Sequence, residues 1–266
     1  MLSNYHTHTI FSDGKNTPEE IINFAIDKGF KAVGFSDHSF TPHDRRYCLK
    51  DTNAYIQEIK RLKEKYSNKI QIYLGIEEDA TILVNRTDFD YIIGSLHYIY
   101  LNGKYYPIDS NYDYFLVCAN LFDGNDLAFA THYYEYFCNY LETRRPDVIG
   151  HFDVITKFDE KYKDRFLHNE EYWALAEKYL KRAINLDCIF EVNTGLISRG
   201  FRTEPCPCYR LLKIIAENDG KIMLSSDAHQ KENLSFYFED MKAILKNIGF
   251  DNVCCFYNNE WQKIKI

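Results

Sequence analysis

The sequence predicts an α/β barrel, with strands of a mainly parallel sheet inside and helices outside. Short apolar runs alternate with longer amphipathic stretches along the whole chain, the signature of repeated strand–helix units. Seven or eight such units follow one another in 266 residues, and no Pro/Gly/Ser-rich linker or low-complexity tract divides them. That favours a closed barrel over an open sheet, and a single domain over residues 1–266. Six of the nine histidines also fall at or just past the C-terminal ends of the strand-like runs, the face on which barrels build their sites.

The first strand is expected over residues 2–5. A helix follows to about Lys28: Thr17 suits the N-cap, Pro18 the first helical position, acids fill the first turn and Gly29 ends it. Residues 31–36 read as the second strand, and residues 52–66 as a helix with Ile56, Ile59 and Leu62 at three- and four-residue spacing. Strands are expected at 70–76 and 91–94. A long helical region covers 112–143, with a break at Asp123-Gly124-Asn125-Asp126, where Asn125 or Asp126 is placed to cap a second helix. The remaining strands are expected at 148–149, 188–192 and 222–224, with helices at 170–186, 209–218 and 236–248 and a terminal strand at 252–257.

A net charge of −7 argues against a nucleic-acid-binding surface, which needs lysine and arginine patches. It leaves room for a small phosphorylated substrate, because bound cations reverse a local potential. No apolar run approaches the roughly 20 residues that span a bilayer, and residues 1–6 lack a basic start and an apolar signal core. A cytoplasmic protein with no membrane partner is expected, its oligomeric state open. The eight cysteines are scattered in apolar contexts and read as buried thiols; the one-residue spacing of Cys206-Pro207-Cys208 fits no common zinc knuckle.

The strand-end histidines are His6 and His8 after strand one, His38 after strand two, His97 after strand four, His151 after strand five and His229 after strand seven. Acids join them: Asp13 in the first loop, Asp37 beside His38, Glu77 closing strand three and Asp227 closing strand seven. His6-Thr7-His8 and Asp227-Ala228-His229 are i, i+2 pairs, so each can project to one side. A lone strand-end histidine is usually a hydrogen-bonded structural residue, but six of them with acids at the same ends predict a multinuclear site. Imidazole with carboxylate suits zinc, manganese or iron, and the absence of cysteine argues against a closed structural zinc site. Of the other three, His43 lies in a polar loop within reach of a substrate, while His132 and His168 read as structural and surface residues.

His6-Thr7-His8 with Ser12-Asp13-Gly14, then Ser36-Asp37-His38, Gly75-Ile76-Glu77, Gly94-Ser95-Leu96-His97, Gly150-His151 and Ser226-Asp227-Ala228-His229 resemble, in order, the motifs of the polymerase and histidinol phosphatase (PHP) superfamily. The resemblance implies a distorted seven-stranded (β/α) barrel, TIM-like, holding two to three divalent metal ions. It implies a first metal on His6, His8, Glu77 and Asp227, a second bridged by Glu77 with His97 and His151, and a third on Asp13, His38 and His229. Residues 94–99 with Pro107-Ile108-Asp109, residues 150–158 and residues 191–195 are most similar to the stand-alone L-histidinol-phosphate phosphatases of that superfamily. Thr156 departs from that subgroup, where arginine is often expected, and shifts phosphate recognition toward Lys157 and Ser198-Arg199-Gly200.

The activity so implied is phosphomonoester hydrolysis, L-histidinol phosphate giving L-histidinol and phosphate in histidine biosynthesis, by attack of a metal-bridging hydroxide on phosphorus. Two metals about 3.5–4 Å apart both acidify water and neutralise phosphoryl charge. Arg199 is a bidentate phosphate clamp, Lys157 a point charge, and Arg202 and His43 further candidate substrate contacts. Asp37 and Asp227 are candidates to protonate the leaving oxygen, although Asp37 better suits orienting a ligand histidine. Glu204 or Asp109 is placed to meet a cationic amine. The alternatives are a related phosphoesterase for another small phosphate ester or nucleotide, and a non-catalytic metal-binding module; every expected ligand position is filled, which argues against the latter.

Overall fold

The computed structural model describes residues 1–266. In chain order the elements are β1 (Ser3–Asn4), α1 (Pro18–Asp27), β2 (Ala32–Phe35), α2 (Thr52–Lys65), β3 (Gln71–Asp79), β4 (Tyr91–Ser95), β5 (Tyr98–Leu101), β6 (Lys104–Pro107), α3 (Tyr112–Asn120) and α4 (Asp126–Arg144). There follow β7 (Val148–Ile149), α5 (Glu170–Ile184), β8 (Ile189–Asn193), α6 (Gly195–Ser198), α7 (Tyr209–Glu217), β9 (Lys221–Ser225), α8 (Phe238–Ile248), β10 (Asn252–Tyr257) and β11 (Glu260–Lys265).

The helices start where local chemistry dictates. Thr17 forms a full capping box, its side chain accepting from Glu20 N while Glu20 accepts from Thr17 N at 2.8 Å. Asn125 caps α4 by accepting from Ala128 N at 3.0 Å, so the long helical region breaks where its turn residues cluster.

Seven strands run in the order β1-β2-β3-β4-β7-β8-β9, each paired parallel with its neighbour. The first and last edges meet past the C-terminal strand ends, where His8 N donates to Ala228 O at 2.9 Å and Ala228 N to His6 O at 3.2 Å. The sheet is therefore a nearly closed, distorted barrel.

At the opposite end the antiparallel β10–β11 hairpin brings Phe256 and Trp261 against Tyr5, Tyr73 and Tyr91. Tyr91 crosses the interior and donates its hydroxyl to Tyr5 O. A Cβ on Gly34 would lie 2.3 Å from the Tyr91 Oη, and one on Gly75 2.2 Å from its Cζ, so both positions need glycine for the ring to pass.

Three features were not expected from the sequence: β11, the short α6, and the β5–β6 hairpin inserted after strand four. Ile108 N donates to His97 O at 2.9 Å, so the return of the β5–β6 hairpin places Asp109 on the same face as the histidines. All eight cysteines are free thiols, seven of them buried, as their apolar contexts predict.

Candidate metal centre

Alternation along the strands explains how the site is populated. In β3, Glu77 and Asp79 point inward and Glu78 outward. Glu78 meets Arg144 of α4 bidentately at 2.8 Å and accepts from Tyr140, tying helix to sheet. Glu77 lies among His6 (3.3 Å), His38 (2.8 Å), His97 (3.3 Å) and His151 (3.0 Å). His8 is 3.0 Å from Asp227 through Nε2 and 3.7 Å from Asp13 through Nδ1. His229 is 3.3 Å from Asp13. Residues 6 and 229 thus converge on one cluster, as the strand-end placement predicts. Asp227 has φ 47°, an uncommon left-handed conformation for a side-chain-bearing residue, and such strain concentrates at functional sites.

The donor atoms fit divalent cations. Three groups have ligand atoms within 4.8 Å of one another: His8, Asp13, His38 and His229; His6, His8 and Glu77; and His38, Glu77 and His97. His8, His38 and Glu77 each belong to two groups, so the ligand sets overlap more than the family motifs imply, where Glu77 alone is shared. Several buried atoms have no hydrogen-bond partner: His6 Nε2, both His8 nitrogens, Glu77 Oε2 and His151 Nδ1. Buried polar atoms are seldom left so, and a cluster of inward lone pairs is what a cation answers. Burial and the neighbouring His229 and His38 push His8 down to about 3, keeping its imidazole in the neutral form that ligates. Burial opposes ionisation of Glu77, but His6, His38 and His97 outweigh it and hold its carboxyl well below the usual range.

Two acids that the sequence reading did not single out hold the histidines. Glu191 accepts from His6 Nδ1, from His151 N at 2.9 Å, from Ser225 Oγ at 2.6 Å and from Asn193 Nδ2 at 3.0 Å. His6 then presents Nε2 to the cluster. Asp79 accepts from His97 N at 2.9 Å and lies 3.2 Å from its Nδ1. Their sequence signal was the inward register they share with Glu77 and Asn193.

The cluster opens into a cavity of about 360 Å³, lined among others by Asp13, Glu77, Asp109, Lys157, Arg199 and His229. Arg199 donates to Asp227 Oδ2 at 2.9 Å and to Asp227 O at 3.1 Å. Lys157 also faces the cavity, yet its ammonium donates to Asp109 O and lies 3.7 Å from the Asp109 carboxylate, so it is not a free cation.

Three expected site residues lie elsewhere. Asp37 is fully buried and saturated, accepting from Thr9 N (2.8 Å), Ser12 N (3.1 Å), Ser12 Oγ (2.6 Å) and the Thr9 hydroxyl; it shapes the loop carrying Asp13 and is not placed to protonate a leaving group. Arg202 does not line the cavity, because Glu160 (2.8 Å) and Thr156 hold its guanidinium in an internal network. Thr156 is thus occupied by Arg202 and, through its own hydroxyl, by Asp153 O at 2.7 Å. His43 is stacked on Tyr105 with ring centroids 3.9 Å apart and lies outside the cavity wall. His132 and His168 are remote from the cluster, as expected.

Fold and site together define a barrel protein equipped to hold divalent cations at the floor of a cavity that Arg199 also lines. The chain belongs to the PHP family: the PHP domain model matches residues 4–195. It is 27% identical over 277 residues to the "Probable histidinol-phosphatase" of Schizosaccharomyces pombe, covering 96% of this chain and 88% of that one. It is 23% identical to the histidinol-phosphatase of Lactococcus lactis subsp. lactis, covering 98% and 96%. Among solved structures it is similar to the Lactococcus lactis histidinol phosphate phosphatase complexed with zinc, L-histidinol and phosphate, with TM-score 0.75, 20% identity and 98% coverage of each chain.

Proposed function

We propose that the chain is a metal-dependent phosphomonoesterase that hydrolyses L-histidinol phosphate to L-histidinol and phosphate in histidine biosynthesis. The observation that carries this reading is a single cavity in which the histidine–carboxylate cluster and the Arg199 guanidinium face the same space. Relatives described as histidinol-phosphatases align over nearly the whole chain and supply the substrate. We take residues 1–266 as one domain, a view supported by closure of the barrel between residues 6–8 and 228 and by the packing of Phe256 on Tyr73.

His6, His8, Glu77 and Asp227 would hold one divalent ion, Glu77, His97 and His151 a second, and Asp13, His38 and His229 a third. When bound, such ions supply Lewis acidity, lowering the pKa of water and neutralising phosphoryl charge. The chain's own residues do the rest. Arg199 is already oriented by Asp227 and offers its remaining N–H groups to phosphoryl oxygens. Glu191 and Asp79 fix the ring orientations of His6 and His97, so the donor atoms stay preorganised. Burial of His6, His8, Glu77 and Asp227 lowers the local dielectric, which strengthens the charge–charge contacts among them. A cavity of about 360 Å³ suits a small ester, not a nucleic-acid strand. No helix is long and apolar enough to cross a membrane, and we place the enzyme in the cytoplasm with the pathway it serves.

A steady-state phosphate-release assay on metal-replete protein, comparing L-histidinol phosphate with nucleotides and sugar phosphates, tests the reading. Selectivity for histidinol phosphate by orders of magnitude in kcat/KM supports it. Equal turnover of the whole panel would leave the metal chemistry standing and remove the substrate.

A further inference from the structure

We propose that Arg202 and Glu160 are positioning residues for phosphate binding, an ion pair behind the cavity wall that locks the segment carrying Arg199 to the segment carrying Lys157. The proposal rests on the phosphatase reading above, through the role that reading gives Arg199.

One wall of the cavity is built from two short segments far apart in sequence. Val154 and Lys157 come from the turn after β7, and Leu196, Arg199 and Phe201 from α6 and the turn that follows it. These residues lie outside the barrel strands, so no ladder of sheet hydrogen bonds sets their positions. Each segment is closed on itself. Thr156 N donates to Asp153 O at 3.0 Å and Lys157 N to Val154 O at 2.9 Å. Arg199 N donates to Gly195 O at 3.1 Å, and Phe201 N and Arg202 N to Leu196 O at 3.0 and 3.3 Å. What remains to be fixed is how the two units sit against each other.

The Arg202 side chain is 1% exposed, and its guanidinium reaches from the second segment into the first. Its Nε donates to Glu160 Oε1 at 2.8 Å, and its Nη1 to the Thr156 hydroxyl. The other Glu160 oxygen accepts from Thr203 N at 2.6 Å, so one carboxylate grips the side chain and the backbone of consecutive residues. Thr156 passes the link on by donating to Asp153 O at 2.7 Å, and Asp153 Oδ2 accepts from Cys208 N at 3.1 Å, which closes the circuit. A planar guanidinium fixes direction as well as distance, which a single-point ammonium does not. Lys157 follows Thr156 directly, and Arg199 lies three residues before Arg202, so a slip at the pair would displace both cavity cations. Net stability is a weak reason for such a pair, because the cost of desolvating both charges offsets their attraction. Geometry accounts for its place directly behind the wall that carries Arg199.

The test measures the affinity of zinc-loaded protein for inorganic phosphate by titration calorimetry, beside KM and kcat for histidinol phosphate, metal content and melting temperature. The variant is Arg202→Met, which removes the fork and keeps most of the volume. The phosphate Kd and KM should rise by roughly 10–100-fold, the upper end being the cost of a displacement of about 1 Å, with metal content at the wild-type level. Arg202→Lys, which restores the charge without the fork, should recover only part of the loss. Wild-type phosphate affinity and KM with a lowered melting temperature would overturn the proposal and leave the pair a core element only. Loss of metal would overturn it by placing the effect in the donor cluster. Phosphate affinity is read without turnover, so it decides this proposal even where another ester proves to be the substrate. If Arg202→Met does not fold, Thr156→Val removes one link of the circuit at nearly constant volume: weakened phosphate binding supports the proposal, and unchanged binding refutes it.

Discussion

Replacing Glu191 with Gln should weaken metal binding without emptying the barrel core, because Glu191 reaches the cluster only through other residues. Its Oε1 accepts from His6 Nδ1 and from Ser225 Oγ at 2.6 Å, and its Oε2 from His151 N at 2.9 Å and Asn193 Nδ2 at 3.0 Å. The backbone N–H and the amide of Asn193 are obligate donors, and His6 must donate through Nδ1 to keep Nε2 free. A glutamine amide therefore points its NH₂ at a donor whichever way it turns. Either His6 turns away or the amide leaves His151 N and Asn193 unmatched. An outer partner of a ligand histidine is worth about 10–100-fold in metal affinity, or roughly 1.4–2.7 kcal/mol. The mismatched buried donors cost the apo-protein about 1–3 kcal/mol as well. Competition with a chelator of known affinity measures the first quantity, and urea unfolding of the metal-free protein the second. Activity should return at saturating metal. Unchanged chelator competition, with the apo-protein destabilised, would refute the orienting role and leave Glu191 as a core hydrogen-bond hub only.

Arg199→Lys should raise KM for the phosphate ester more than it lowers metal content, since lysine loses the fork that spans Asp227 and a phosphate; steady-state kinetics beside metal analysis checks this. Gly75→Ala should destabilise by about 1–3 kcal/mol, because its Cβ would sit 2.2 Å from the Tyr91 ring, and Tyr91→Leu in the same chain should recover part of the loss in urea melts. Asp159, 3% exposed, is pushed up to about 7 by burial, against an ordinary 3.8. The folded state then keeps its proton while the unfolded chain has released it, so stability falls as pH rises from about 4 to about 7, by up to roughly 4 kcal/mol. Asp159→Asn retains an acceptor for Phe166 N, bonded at 2.8 Å, and its stability should exceed the wild type's by a margin that grows over that pH range; a margin independent of pH would contradict the assignment. Stripping the metals with a chelator should abolish phosphate release and lower the melting temperature, through loss of ions that bind only the folded cluster.

How much of this was legible in the sequence depends on what each residue's role requires. The clustered histidines were visible because strand ends are readable from local periodicity, and closure of parallel strands necessarily gathers those ends on one face. The β5–β6 hairpin was not, since Tyr98–Leu101 and Lys104–Pro107 are short, largely polar or aromatic, and paired only with each other. With the hairpin went any means of deciding what Asp109 faces. Arg202 and Asp37 show the complementary limit: both residue types suit the chemistry, but whether a charge is free or already spent depends on partners such as Glu160 and Ser12 that no spacing rule brings near. Glu191 sits between these cases. In a strand buried on both faces, a charged residue at an inward position needs partners, and Glu191 shares its face with Asn193 as Glu77 does with Asp79. Applied to both strands, that register argument separates the acids that hold histidines from Glu78, which the same alternation turns outward to Arg144. The inward acids of a barrel strand are therefore candidates for the site as a set, and the outward ones for its attachment to the helices.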